Sequence, residues 1–235
     1  MNFDISYYTS VGGRQNNEDT VSVKSDGKTL LTIVADGLGG HADGEIASGI
    51  AAQVLNDELI GAEFSMDVLA SAVEIANLEV LQKAETSSMK TTAAVVWASR
   101  DKAYIATVGD TRVYFFRGGE ILFQSVDHSV SQISVMAGEI TAEQIRGHKD
   151  RNKLIRVLGD KEDVKGDISD ISIQSGDAFL LCSDGFWENI VEDDMLSTLT
   201  KSKSSEKWLS KMKKIVDAAA DDDCDNNSAI AVLVK

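Results

Sequence analysis

Asp36, Asp110, Asp184 and Asp225 share one sequence context: each adjoins an apolar run that reads as a core strand. Leu30 to Ala35 leads into Asp36-Gly37, AYIATVG into Asp110, and AFLLCS into Asp184-Gly185, while NNSAIAVLV follows Asp225. Glu18 and Asp19 form a fifth acidic position, in the first polar loop after Arg14. A carboxylate at the end of a buried strand, on a glycine-containing loop, can be approached closely by a ligand. Asp36 suits a hard cation there, with the Gly37 carbonyl as a second oxygen donor. Asp-Gly is also ordinary turn chemistry, and spacing alone leaves open whether the strand ends converge. If they do, two carboxylates ~4 Å apart repel by roughly 4 kcal/mol at an effective dielectric near 20. Such a cluster must take up protons, recruit basic side chains or bind cations. The nearby basic residues are few, chiefly Arg14 and Arg112. All-oxygen ligation without a Cys/His set points to Mg²⁺ or Mn²⁺. Two such ions ~3.5–4 Å apart activate a bridging water and clamp a phosphoryl oxygen, and Arg14 would grip a phosphate bidentately.

These residues need strands to present them. The pattern predicts a first strand within Met1 to Tyr8, a short one at Val21 to Val23, and a central one, Leu30 to Ala35, that stops at Asp36-Gly37. Two helices follow. Glu45 to Ile60 is expected to bury Ile46, Ile50, Val54 and Leu55, and Asp67 to Lys83 to bury Leu69, Val73, Ala76 and Val80. Strands are expected at Thr91 to Ala98, Ala103 to Val108, Arg112 to Arg117, Glu120 to Phe123, Ile168 to Ile173, Ala178 to Cys182 and Ser228 to Val234. Gly118-Gly119 marks a hairpin. Gln132 to Met136 and Ala142 to Gly147 read as short helices in an irregular region, and Ser205 to Ala219 as a longer one. Consecutive strands and paired helices argue against a doubly wound parallel sheet and for antiparallel sheets with helices packed outside.

The totals exclude several function classes. A net charge of −15, with no basic stripe set against it as a nucleic-acid footprint, argues against nucleic acid and anionic membrane as partners. No apolar run approaches transmembrane length, the start MNFDISYY lacks a signal pattern, and two cysteines, Cys182 and Cys224, give no disulfide framework. A cytoplasmic monomer is the expectation. With 235 residues the chain can form one large domain, able to bury roughly 70–75% of its unfolded surface. There is no linker or repeat to divide it.

Seven ordered motifs carry a family resemblance: RQNNEDT (Arg14 to Thr20), VADGLGGHADGEIAS (Val34 to Ser48), KTTAAVV (Lys90 to Val96), VGDTRVY (Val108 to Tyr114), VDHS (Val126 to Ser129), LLCSDGFWENI (Leu180 to Ile190) and DNNSAIAV (Asp225 to Val232). Together they resemble the metal-dependent protein phosphatases of the PPM family, the type 2C protein serine/threonine phosphatases, in their compact bacterial form. The resemblance implies an α+β fold of two packed antiparallel sheets flanked by helices, a four-layer α-β-β-α sandwich formed by residues 1–235. It also implies a mobile flap at about 131–153. By position, Asp36 looks like the ligand bridging two metals, with the Gly37 carbonyl on the second. Asp184 and Asp225 match ligands of the first, Glu18 one acting through water, and Asp19 an acid behind it. Asp110 with Asp184 matches the third metal site of bacterial members, and Arg14 the phosphate-binding arginine. The chemistry implied is in-line attack of metal-activated water on phosphoserine or phosphothreonine, with Arg14, Asp36 and Asp184 carrying catalysis and Mn²⁺ or Mg²⁺ as cofactor. The partners implied are phosphorylated proteins in signalling opposed to a bacterial Ser/Thr kinase. Animal members place a histidine directly after the DG; here that position is Leu38, and His41 follows three residues on.

Other residues have plain structural readings. Cys182 reads as a buried small hydrophobe, Trp187 as packing beneath the SDGFW loop, His128 as structural, His148 as a flap residue, and the lysines at 201, 203, 207, 211, 213 and 214 as a solvated helical face. Two rival functions are a non-catalytic phospho-ligand sensor on the same fold and an acidic calcium-binding protein. The intact motif set argues against the first, and the lack of an EF-hand loop against the second.

Overall fold

The β-branched runs pair as antiparallel strands in a computed structural model that describes residues 2–26, 29–38, 43–84, 89–221 and 223–235. One sheet contains β1 (Phe3–Ser10), β7 (Arg112–Arg117), β8 (Glu120–Gln124), β10 (Ala178–Cys182) and β11 (Asn227–Val234), in the order β1-β11-β10-β7-β8. The other contains β2 (Asp19–Ser25), β3 (Thr29–Leu38), β5 (Ala93–Ser99), β6 (Lys102–Val108) and β9 (Asp167–Ser172), in the order β2-β3-β5-β6-β9, with the two-residue β4 (Lys90–Thr91) pairing the end of β3.

Alternation along each strand sorts side chains into layers. Leu30, Val34, Val96 and Ile105 meet Phe115, Phe179, Leu181 and Ile230 between the sheets. Leu31, Ile33, Val95 and Trp97 point the other way and are covered by α1 (Asp43–Leu59) and α2 (Met66–Lys83). Tyr114, Phe116, Leu180 and Ala231 are covered by α5 (Glu192–Thr200) and α6 (Ser205–Ala219). Each fully buried large apolar side chain contributes roughly 1.5–3 kcal/mol. The four-layer α-β-β-α sandwich is what the sequence led us to expect.

Three expectations change. The central strand does not stop at Asp36-Gly37: β3 runs on to Leu38, because Gly37 and Leu38 pair with Thr91 and Lys90 of β4. Asp36 therefore lies inside a strand, directly opposite Asp19 of β2. The α1 face is also different. Its buried residues are Gly44, Ala47, Ser48, Ala51, Ala52, Leu55 and Leu59; of the four expected there, Leu55 is buried and Ile50 and Val54 are partly buried against the core, while Ile46 is 49% exposed. Small residues let the helix approach the sheet closely, and that outweighs the larger apolar side chain. Finally, α4 (Asp184–Trp187) and α5 were not anticipated. The first is one turn opened by Asp-Gly; the second is short, and its Glu192, Asp193 and Asp194 lie in the first turn, where acids favour the helix dipole.

Candidate active site

The antiparallel pairing brings the acidic residues to one end of the sandwich. Asp19 and Asp36 face each other across β2 and β3. In the other sheet, Cys182 pairs with Ala229, and the Ser183 N–H donates to the Ser228 carbonyl. This sets Asp184, after β10, beside Asp225, before β11. Asp110 lies in the connection that carries the chain from β6 of one sheet to β7 of the other. A cavity of about 580 Å³ opens here, and Glu18, Asp36, Gly37, Asp110, Asp184 and Asp225 line it, with Arg14 at its rim. Every acidic residue singled out from the sequence is thus brought to this place, with Asp19 buried just behind the wall.

Each position is fixed locally. The Asp36 N–H donates to the Thr92 Oγ1 (3.0 Å), and the Thr91 hydroxyl donates to the Asp36 carbonyl (2.9 Å). The Gly37 N–H donates to the Glu18 carbonyl at 3.1 Å. A Cβ at Gly37 would come within 2.0 Å of the Gly44 carbonyl oxygen, so the close approach of α1 to β3 requires glycine there. Ser183 donates its hydroxyl to Asp19 Oδ2 (2.8 Å). Asn226, which sequence reasoning missed, braces the first loop: it accepts from the Glu18 N–H and donates to the carbonyls of Val11 and Asn16. The run Asp-Asn-Asn before β11 was its only signal.

Two further residues reach the cavity. Asn152 and Leu154, at the end of the segment that holds α3 (Val130–Met136) and a 3₁₀ turn (Ala142–Gly147), line its wall. Arginines tie this segment to the loop carrying Asp184. Arg146 donates to the carbonyls of Trp187 and Ile190 and to Glu192, and Arg151 donates to Glu188 (2.7 Å). Trp187, buried beneath the loop as expected, donates its indole N–H to the Asp110 carbonyl at 2.9 Å.

The electrostatics are those of crowded carboxylates. Burial pushes Asp36 and Asp184 well above the usual carboxylate range. Asp184, Asp19, Asp110 and Asp225 push Asp36 further, and Asp110 and Asp225 push Asp184. Burial, with Asp127 nearby, pushes Asp110 up to about 7. Burial also pushes Asp19 up to about 6 against the hydroxyls that bond it, and burial and Asp225 raise Glu18. Basic help is scarcer than the sequence suggested. Arg112 is committed to a buried bidentate pair with Asp127 (2.8 and 2.6 Å) and lies 3.5 Å from the centre of the Trp187 ring. Among the described residues Arg14 pairs with Asp225 alone (2.8 Å), and it is half-exposed.

The donor chemistry fits a hard divalent cation. The ionisable acids that line it, Glu18, Asp36, Asp110, Asp184 and Asp225, offer only oxygen, and the Oδ1 atoms of Asp19 and Asp184 are buried with no hydrogen-bond partner among the described residues. Among those residues no three His, Cys, Asp or Glu side chains stand together as a ready-made ligand set. The carboxylates ring an open space, the arrangement expected of an ion that keeps several waters.

Neither described histidine, His128 nor His148, lines the cavity. The Nδ1 of His128 accepts from the Gly109 N–H, so in the neutral ring Nε2 carries the proton toward Asp167, 3.1 Å away. The Nδ1 of His148 accepts from the Asp150 N–H. His41 falls outside the described residues. Cys182 is buried in β10, Cys224 is partly exposed, and both are free thiols.

A profile of protein phosphatase 2C matches residues 10–227. The serine/threonine phosphatase stp of Listeria innocua is 33% identical over 201 residues, covering 81% of this chain and 79% of its own. The protein phosphatase PhpP of Streptococcus pneumoniae is 31% identical over 208 residues, covering 84% of each chain. The structure of the S. agalactiae serine/threonine phosphatase superimposes with a TM-score of 0.90 over the whole of both chains at 27% identity. Acidic cavity, sandwich topology and similarity along most of the sequence agree: the chain belongs to the protein phosphatase 2C family.

Proposed function

We propose that this phosphatase hydrolyses phosphoserine and phosphothreonine on proteins, using Mg²⁺ or Mn²⁺ held by the carboxylates of the cavity. The observation that carries the reading is the convergence of Glu18, Asp36, Asp110, Asp184 and Asp225 on one cavity with Arg14 at its rim. In this reading Asp36 would serve both of two ions, the Gly37 carbonyl would help hold the second, and Asp184 and Asp225 the first; Glu18 would act through water, Asp19 would orient the set, and Asp110 with Asp184 would hold a third. When bound, the ions supply countercharge and the Lewis acidity that makes water a nucleophile near neutral pH.

The chain's own groups do the rest. Arg14 swings from Asp225 toward a phosphate, for which a guanidinium offers paired donors. Ser183 and the threonines at 91 and 92 hold Asp19 and Asp36 against their mutual repulsion. The segment 131–153 serves as the flap, and Asn152 is its polar contact with substrate. The substrates are products of a Ser/Thr kinase, and the setting is cytoplasmic. No described helix is long and apolar enough to cross a membrane. The test is release of phosphate from a phosphothreonine peptide with added Mn²⁺. Asp36→Asn and Asp184→Asn should each abolish turnover, and full activity in either would remove the metal mechanism.

A further inference from the structure

Residues 201–214 contain six lysines and one acid, Glu206, a local charge of +5 in a chain whose net charge is −15. The fold gathers five of these lysines onto one side of α6, while Lys213 turns toward Tyr8 of β1. α6 buries Trp208, Leu209, Met212 and Val216. Lys207, Lys211 and Lys214 follow at the i, i+4, i+7 spacing that forms a stripe on the opposite side. Lys211 donates to the carbonyl of Lys201, which brings the α5–α6 connection alongside that stripe. Lys203 and the C-terminal Lys235 line a groove of about 390 Å³ with Thr200, Ser202 and Ser175.

Local structure does not account for this arrangement. Lys213 pairs with Asp217 and Lys235 with Asp4, but among the described residues Lys201, Lys203, Lys207, Lys211 and Lys214 carry no ion pair. Lys201 and Lys203 follow the C-terminus of α5, where the helix dipole favours cations. Lys207 lies in the first turns of α6, where the dipole disfavours them, and Lys207, Lys211 and Lys214 repel one another. A local rule broken without an internal partner marks a surface shaped for something outside the chain.

We infer that this face docks an acidic segment of the phosphoprotein substrate, at a distance from the phosphorylated residue. Charge complementarity selects the occupant, since an acidic stretch is repelled by the rest of the molecule and meets here five ammonium groups that carry no ion pair among the described residues. β11 fixes the spacing. Asn226, before its start, lines the catalytic cavity, and Val234 and Lys235, at its end, line the groove. At ~3.3 Å per strand residue the two sites are about 27 Å apart. An extended peptide needs at least about eight residues to join them. The identity of the docked molecule as substrate rests on the phosphatase reading; the binding surface does not.

The test uses phosphothreonine peptides that carry four consecutive Asp/Glu residues either two or fourteen residues from the phosphorylated site, or none. With the distant acidic block KM should fall about fivefold at low salt with kcat unchanged, through the raised effective concentration of a tethered substrate. The gain should vanish in Lys203→Glu/Lys207→Glu/Lys211→Glu and at high salt, while turnover of p-nitrophenyl phosphate stays the same. Anisotropy of a labelled acidic peptide without phosphate reads the surface directly, so an inactive enzyme would sink the phosphatase reading and leave docking to be judged by binding. Equal KM for all three peptides, an acidic gain that survives the triple variant, or binding to anionic vesicles without binding to the peptide would each overturn the inference.

Discussion

Replacing Asp110 by Asn should stabilise the metal-free protein at alkaline pH even though it damages the site. Asp110 is 5% exposed, and burial with Asp127 close by raises its carboxyl from 3.8 to about 7. A raised acid is held protonated by the folded chain while the unfolded chain has already ionised. Below pH 3.8 both states carry the proton and nothing is lost. Between 3.8 and about 7 the folded state holds the extra proton, and stability falls as pH rises; above 7 the whole penalty is present. At about 1.36 kcal/mol per unit, the rise amounts to about 4 kcal/mol as an upper bound. Asn removes that charge but buries an amide whose donors need partners, at a cost of about 1–3 kcal/mol. A net gain of about 2 kcal/mol remains, or about 4–8 °C in Tm for a chain of this size. Thermal unfolding in EDTA at pH 8 should show it, and at pH 4 Asn should be neutral or destabilising. Mn²⁺ should then reverse the ranking, raising the wild-type Tm more than that of Asp110→Asn. A variant that melts below wild type in EDTA at pH 8 would refute the account of the cavity as a store of carboxylate repulsion.

Three other outcomes follow from the same geometry. Asp127→Asn leaves the buried Arg112 without its bidentate partner and should cost about 3–5 kcal/mol in urea unfolding, whereas Arg112→Met combined with Asp127→Leu should cost less than that single change. Gly37→Ala sets a Cβ against the Gly44 carbonyl and should cost about 3 kcal/mol or more, with Mn²⁺ affinity by titration calorimetry falling alongside. Asp4 accepts from the Ser205 N–H and hydroxyl at the start of α6; burial raises its carboxyl, but these bonds and Lys235 outweigh it and hold the group below 3.8. Its contribution is present above 3.8 and lost as pH falls below it, so Asp4→Asn should lower the urea midpoint at pH 7 and change little at pH 2.5. Solvent screening at this partly exposed residue limits the effect to about 1 kcal/mol.

The acids were legible in the sequence because strand ends are marked by the chemistry that also makes them useful. An apolar β-branched run fixes the strand, and the first carboxylate or glycine beyond it marks the edge. The two sheets were legible for the same reason, since Leu30 to Ala35 and Ala178 to Cys182 are too short and too apolar for surface helices. The residues that fix the geometry were less legible. Asn226 and Ser183 act through hydrogen bonds to segments more than 160 residues away in sequence. Nothing local distinguishes them from loop residues. Ile46 misled because periodicity reports where large apolar side chains sit, while close packing of α1 on β3 depends on where they are absent. Arg112 misled because proximity in sequence to Asp110 says nothing about Asp127, which takes the guanidinium after a hairpin intervenes.

The acids belong to both halves of the sandwich. Asp19 and Asp36 come from one sheet, Asp184 and Asp225 flank strands of the other, and Asp110 sits on the crossover between them. Their repulsion therefore acts across the seam where the two sheets meet, against the burial of Val34, Phe179, Leu181 and Ile230 that holds the sheets together. The hydrogen bonds that oppose it also cross that seam: Ser183 to Asp19, and Glu18 to Asn226. A cation bound among these carboxylates converts the repulsion into attraction at the same seam, so metal affinity and inter-sheet packing are two readings of one free energy. A substitution in the inter-sheet core far from the cavity, such as Phe179→Ala, should then weaken Mn²⁺ binding as well as lower Tm, whereas an equally destabilising change beneath α6, such as Trp208→Ala, should lower Tm and leave the affinity of the folded protein intact.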